Sequence, residues 1–343
     1  MMNDPKMIDY RSDTVTQPTP QMIEAMSKAP VGDDVYGEDP TIKELEQYAA
    51  DLFGMENALF CPSGTMTNQI AIKAHTTPGK EVICHEWAHI YNYEGGGVAF
   101  NSGCQVRPIS SNDGKFKAVD VEARIQSNTD IHAAPTALIS VENTVNKAGG
   151  TVWSTDEVKP ITRVGQIHNI PLHLDGARLF NALEAVGETP ADYGKLFNSI
   201  SICLSKGLGA PVGSLLLGSD QFITRARRIR KVMGGGMRQA GIIAAGGLYA
   251  LKNNIDRLRE DRENAIKIYE AVKESAICKS VEKPQTNIVL FEPTDDKPLN
   301  AVLTEMEKYG IKASPMGSKI RMVTHLNHSH EEIVRTCDIL RSL

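Results

Sequence analysis

Lys206 closes a short apolar run, Ser199-Ile200-Ser201-Ile202-Cys203-Leu204-Ser205-Lys206, and small residues follow it as Gly207-Leu208-Gly209-Ala210-Pro211. Upstream, Pro171-Leu172-His173-Leu174 ends in Asp175-Gly176-Ala177-Arg178. A lysine and an aspartate, each at the end of a buried strand, form the pair that pyridoxal phosphate needs. The amine forms a Schiff base with the cofactor aldehyde, and the carboxylate keeps the pyridine nitrogen protonated. Partial burial beside the cofactor helps the lysine shed its proton. The plainer reading makes Asp175 a helix cap and Arg178 a surface charge. Against it, a carboxylate at the end of an almost wholly apolar strand is costly without a cation, and a pyridinium N–H is one.

Four other patterns carry candidate chemistry. Phe60-Cys61-Pro62-Ser63-Gly64-Thr65 joins a strand to a helix. Such a turn offers backbone N–H groups and two hydroxyls at a helix N-terminus, which suits a phosphate; alone it reads as an ordinary capped helix start. His85-Glu86-Trp87-Ala88-His89 has the spacing of a zinc hydrolase motif. That chemistry requires a helix, so that both histidines face one metal. Here a strand, Glu81–Cys84, runs straight into the motif, so we expect no metal and assign His89 to lie flat on a pyridine ring. Arg321, in Lys319-Ile320-Arg321-Met322-Val323-Thr324, presents a fork suited to a carboxylate, though alone it reads as a solvated face residue. Gly234-Gly235-Gly236-Met237-Arg238-Gln239 lacks the spacing of a dinucleotide turn and reads as a flexible basic turn near a phosphate. His325, His328 and His330 are accounted for by a loop running into a capped helix.

The elements that must position these residues alternate along the chain. Candidate strands are Ala58–Cys61, Glu81–Cys84, Ala137–Glu142, Pro171–Leu174, Ser199–Leu204 and Val212–Leu217. Candidate helices are Thr41–Phe53, Met66–Ala74, Gln221–Val232, Gln239–Lys252 and Asp256–Ser275. The alternation predicts an α/β fold with a mostly parallel sheet. From about residue 255 the order changes: strands at Asn287–Phe291 and Lys319–Thr324 flank a helix at Leu299–Tyr309, and Ser329 with Glu332 has capping-box spacing. This divides the chain into a large domain, residues 1–254 with the N-terminal segment, and a smaller α+β domain, residues 255–343. The first residues, through Asp9, either pack on the smaller domain or stay apart.

Bulk properties narrow the function classes. The chain has 343 residues, 41% hydrophobic, a formal net charge of -5 and a pI near 6.0, which is long enough for one large core or two smaller ones and points to neither nucleic acid nor an anionic membrane surface. No apolar run is long enough to span a bilayer and no basic-then-apolar leader opens the sequence, so a cytoplasmic protein with reduced thiols is expected from its six scattered cysteines.

These residues resemble the L-threonine aldolases of low-specificity and L-allo type, which are fold-type-I pyridoxal phosphate enzymes of the aspartate aminotransferase-like architecture. The resemblance covers nearly the whole chain. It rests on Asp9-Tyr10-Arg11-Ser12-Asp13-Thr14-Val15-Thr16, Val31-Gly32-Asp33-Asp34-Val35-Tyr36-Gly37-Glu38-Asp39-Pro40, Pro62-Ser63-Gly64-Thr65-Met66, Glu142-Asn143-Thr144, Leu174-Asp175-Gly176-Ala177-Arg178, Leu204-Ser205-Lys206-Gly207 and Gly234-Gly235-Gly236-Met237-Arg238-Gln239-Ala240. It implies that Lys206 carries the cofactor, Asp175 pairs its pyridine nitrogen, His89 stacks on its ring, and Ser63, Gly64 and Thr65 hold its phosphate. Ser12, Arg178 and Arg321 would bind the substrate carboxylate, with Arg178 also touching the ring hydroxyl. Tyr36 and Arg238 would reach a neighbouring subunit's site, and His132 would lie near the substrate hydroxyl. It further implies a homotetramer built as a dimer of dimers. The implied reaction is cleavage of a β-hydroxy-α-amino acid to glycine and acetaldehyde, with His89, His132 or a water as base. An aminotransferase, a β-eliminating lyase, a zinc hydrolase and a non-catalytic regulator are the rival readings.

Overall fold

The computed structural model describes residues 7–343, so the first six residues of the expected N-terminal segment lie outside the described residues. A two-residue strand, β1 (Ile8–Asp9), comes first. The seven strands of the large sheet follow: β2 (Asn57–Cys61), β3 (Glu81–His85), β4 (Gln105–Ile109), β5 (Thr136–Glu142), β6 (Leu172–Gly176), β7 (Ser199–Cys203) and β8 (Ser214–Gly218). Their spatial order is β2-β8-β7-β6-β5-β3-β4. Strand β8 runs antiparallel to both β2 and β7, and the remaining pairs are parallel. Strand β2 therefore points the same way as β7, and the ends of β2, β3, β5, β6 and β7 all open onto one edge.

The residues explain the elements. Strands β3, β6, β7 and β8 are buried along their whole length, as strands covered on both faces must be. Helix Pro40–Phe53 begins at Asp39, whose Oδ1 accepts from the Thr41 and Ile42 amides at 3.1 and 3.0 Å, with Pro40 at the first helical position. It buries Ile42, Leu45, Ala49 and Phe53, one stripe at helical spacing. All six strands expected in the large sheet form, each end within two residues of its expected place. Strand β4 and helix Thr155–His168 had not been expected.

A second sheet, of order β12-β13-β10-β9, is antiparallel and consists of β9 (Cys278–Val281), β10 (Ile288–Pro293), β12 (Ser314–Met316) and β13 (Lys319–Val323). Strand β11 (Ile311–Lys312) lies apart from it and pairs in parallel with β1, Ile8 facing Ile311. Helix Leu258–Glu274 passes between the two units: Leu258 packs in the first core, while Ala265, Ile268, Ala271 and Val272 pack in the second. Ile8 and Tyr10 also pack in that second core, although the N-terminal segment was grouped with the larger unit from the sequence. The chain leaving β1 then crosses to the large sheet and delivers Ser12 and Asp13 to its open edge. Among the described residues no helix is long and apolar enough to cross a membrane, and all six cysteines are free.

Candidate active site

In open α/β sheets, ligands sit outside the carboxyl ends of the strands. Here that edge holds a cavity of about 270 Å³. Register explains which side chains meet there. Glu142, the last residue of β5, is the partner of Asp175 on β6, and Asp175 is the partner of Ser201 on β7. Lys206 follows three residues after β7 ends. Ser63, Gly64 and Thr65 enter from the end of β2, His89 from beyond β3, Ser12 from the N-terminal crossing, Arg178 from just past β6, and Arg321 from β13 of the smaller unit; all of them line the cavity.

Asp175 is buried, 3% exposed. Among the described residues, no hydrogen bond or ion pair reaches its carboxylate or the half-buried Lys206 amine. A buried carboxylate with no partner is expensive, and a pyridinium N–H supplies one. The Ser63 side chain caps helix Gly64–His75 by accepting from Met66 N at 3.2 Å, which leaves the Gly64 and Thr65 amides as donors of the first turn. Gly64 is a glycine for a steric reason: a Cβ there would lie 2.6 Å from Cys203 Sγ at the end of β7. An anion cradle, a free amine and an unpartnered carboxylate on one cavity fit pyridoxal phosphate.

The guanidinium groups are more committed than the sequence indicated. Arg178 donates from Nε and Nη2 to the two oxygens of Asp13, each at 2.7 Å, and Asp13 is fully buried. Burial alone would raise the Asp13 carboxyl; the Arg178 charge and hydrogen bonds hold it well below the usual range. Arg178 retains Nη1, 3.4 Å from Asn146 Oδ1. Arg321 Nη1 donates to the same oxygen at 2.9 Å and its Nη2 to Arg11 O at 2.9 Å, while its buried Nε has no partner among the described residues. Burial and then Arg178 lower the Arg321 pKa. Two cations thus converge on one amide oxygen, an arrangement that a bound carboxylate relieves.

His89 opens the short helix His89–Asn92. Its backbone N–H donates to Glu142 Oε2 at 2.8 Å, and its Nδ1 lies 2.9 Å from Glu94 Oε1. Burial would lower its pKa, but the Glu94 hydrogen bond and the charges of Asp175, Glu94 and Glu142 more than offset this and raise it. Burial, then the Asp175 charge, push Glu142 up to about 7, against the amide donors of Asn146 and His89. His85 does not share these partners: its Nε2 meets Ser111 N at 3.0 Å and Ser111 Oγ at 3.1 Å. The zinc-type spacing therefore spans a strand end and a separate helix start, and the two histidines serve different partners.

Three sequence candidates lie elsewhere. His132 is exposed, in the turn before β5, where its N–H donates to Asp130 Oδ1 at 2.9 Å. It does not line the cavity of its own chain. The turn is at the amino end of β5, and a seven-residue strand separates it from the cavity edge, roughly 20 Å. Tyr36 is 74% exposed and stacks under Arg238, which is 5.9 Å from the ring centroid and bonded to Asp33 at 2.9 Å. Neither lines the cavity of its own chain. The sequence reading missed Asp13, Glu94, Glu142 and Asn146 as site residues. Glu142 had a signal, since it ends an apolar strand as Asp175 does.

The β-eliminating lyase family model matches residues 9–295. The low specificity L-threonine aldolase of Escherichia coli O157:H7 is 45% identical over 331 residues, 95% of this chain and 96% of that one. Low-specificity L-threonine aldolase 1 of Arabidopsis thaliana is 39% identical over 327 residues, 93% of this chain and 91% of that one. Among solved structures, a Leishmania major threonine aldolase superposes with a TM-score of 0.84 at 21% identity, covering 97% of this chain and 98% of that one, and shows the same fold.

Proposed function

We infer the reaction from a fixed premise: the chain belongs to the β-eliminating lyase family and, within it, to the L-threonine aldolases. It is a pyridoxal phosphate-dependent lyase that cleaves L-threonine, L-allo-threonine and related β-hydroxy-α-amino acids to glycine and an aldehyde. The observation that carries this reading is the unpartnered Asp175 and Lys206 on one cavity with His89.

The chemistry pyridoxal phosphate supplies when bound is an electron sink for the pair released from the Cα–Cβ bond. The chain's own residues do the rest. Lys206 offers the amine that holds the cofactor, Asp175 keeps a proton on the pyridine nitrogen, and Ser63, Gly64 and Thr65 hold the phosphate. Arg321, with the free edge of Arg178 and with Ser12, binds the substrate carboxylate and fixes Cα. His89 takes the β-hydroxyl proton, and the oxygen's electron pair becomes the aldehyde carbonyl as the carbon–carbon bond breaks. A proton delivered to Cα completes glycine. His89 is favoured over His132 because it alone of the two lines the cavity.

The active form is a homo-oligomer, a tetramer built as a dimer of dimers, in which Tyr36 and Arg238 serve a neighbour's cavity. Six free cysteines favour a reducing compartment, the cytoplasm. The test is direct. Purified protein should be yellow, bleach with borohydride, and release acetaldehyde and glycine from threonine in equal amounts. A keto acid with ammonia in their place would make it an eliminating enzyme, and a keto acid without ammonia a transaminating one.

A further inference from the structure

From His89 a line of hydrogen bonds leads away from the cavity into the protein interior. Glu94 Oε1 meets His89 Nδ1 at 2.9 Å and accepts from Asn68 Nδ2 at 2.8 Å. Asn68 Oδ1 is 3.1 Å from His173 Nε2. His173 Nδ1 is 2.9 Å from Ser199 Oγ, and that hydroxyl is 2.8 Å from His75 Nε2. Asn68, Glu94, His173 and Ser199 are all buried.

With Glu94 ionised, one assignment of protons satisfies every link. An ionised Glu94 only accepts, so Asn68 turns its NH2 to Glu94 and its carbonyl to His173. That carbonyl takes the His173 Nε2 proton. Burial, then His75, lower the His173 pKa to about 3. The ring is therefore neutral, and its Nδ1 accepts the Ser199 hydroxyl proton. Ser199 Oγ in turn accepts from His75 Nε2, whose ring is also kept neutral by burial and Arg225, its pKa lowered to about 4. Every bond in the line points toward Glu94. Gln69 Nε2 adds one more donor, 2.6 Å from Glu94 Oε2.

The direction matters because carboxylates crowd His89. A ring nitrogen of His89 and carboxylate oxygens of Glu94 and Asp175 lie within 4.8 Å of one another, and Glu142 is bonded to the His89 amide. Buried like charges do not all ionise. An ionised Glu94 accepts the Nδ1 proton and leaves Nε2 as a lone-pair acceptor. A protonated Glu94 would instead donate to Nδ1 and force the imidazole proton onto Nε2, so the ring could no longer take a proton there.

We propose that Asn68 and His173 are positioning residues for threonine cleavage: they keep Glu94 an acceptor, and Glu94 keeps His89 in the Nδ1–H form with Nε2 free for the β-hydroxyl proton. The proposal rests on His89 being the proton acceptor of the aldolase reading.

The experiment is nitrogen-15 NMR of histidine-labelled holoenzyme, read above the His89 titration, with the His89 signal assigned by its loss in His89→Asn. Wild type should show the Nδ1–H form. Asn68→Leu and His173→Leu should move His89 toward the Nε2–H form and lower kcat about tenfold or more, the scale of losing a partner that orients a working histidine. For His173→Leu, KM should change less than about threefold, since His173 does not line the cavity. His173→Gln places an amide nitrogen where Nε2 was, and should restore both the Nδ1–H form and most of kcat. An Nε2–H form in the wild type overturns the proposal whether or not the variants fold. An unchanged tautomer in folded Asn68→Leu does the same. A wild type that shows the proposed tautomer pattern but releases no acetaldehyde from threonine overturns the aldolase reading and supports Asn68 and His173 as positioning residues for His89.

Discussion

Glu142 and Asp175 are register partners on neighbouring parallel strands, two buried carboxylates at the cavity edge. The Glu142 pKa, pushed up to about 7 from an ordinary 4.5 by burial and by Asp175, makes the folded chain bind more protons than the unfolded chain between those values. Stability from this group therefore falls as pH rises through that window and is lowest above it. We expect the stability of cofactor-free Glu142→Gln, minus that of cofactor-free wild type, to rise from pH 4.5 to pH 7.5 by on the order of 1–3 kcal/mol. Urea denaturation across this range measures it, and a difference independent of pH would show that Glu142 ionises normally.

Lys206 contributes chemistry rather than structure. Its amine makes no hydrogen bond or ion pair among the described residues, so Lys206→Ala should unfold within about 0.5 kcal/mol of wild type in the absence of cofactor. Threonine cleavage should be lost, and borohydride should no longer fix the cofactor to the peptide containing residue 206. Near-wild-type turnover in the purified variant would mean another amine carries the cofactor.

Asp13 and Arg178 form a buried pair joining the N-terminal crossing to the large sheet. Asp13→Ala leaves a buried guanidinium with Asn146 Oδ1, at 3.4 Å, as its remaining hydrogen-bond partner among the described residues. Breaking one side of such a pair typically costs about 3–5 kcal/mol. The midpoint of urea unfolding should fall accordingly. A loss below about 1 kcal/mol would mean that Arg178 re-pairs and that Asp13 does not tie the N-terminal crossing to the large sheet.

What could be read from the sequence follows from what each residue buries. Strands β6 and β7 are buried along their whole length, and Asp175 near the end of β6 and Lys206 just beyond β7 mark the cavity edge. Strand β4 escaped notice because an edge strand needs no apolar run: Gln105 and Pro108 are exposed. Asp13 and Glu94 were missed as site residues because their partners are distant in sequence. Asp13 meets Arg178 165 positions on, and Glu94 meets Asn68 26 positions back. His132 was named by its match to the family, and the fold places it in the turn at the amino end of β5, away from the cavity of its own chain.

Arg238 gives the sharpest test of assembly. Its side chain is 54% exposed, bonded to Asp33 and stacked on an exposed Tyr36, yet none of the three lines the cavity of its own chain. An arginine that can pair with an anion in a fork geometry is poorly used in that position, and a neighbour's phosphate would use it. Lys206→Ala and Arg238→Ala should therefore each be nearly inactive alone and regain activity when mixed and reassembled. In a mixed dimer one cavity combines an intact lysine with the other chain's intact arginine, while the second cavity lacks both. That mixed dimer should recover about half the activity of a wild-type dimer, by the two-fold symmetry of the shared sites. Differently tagged chains establish that subunits have exchanged. No recovery after proven exchange, or a fully active monomer in sedimentation, would return Arg238 to its own chain.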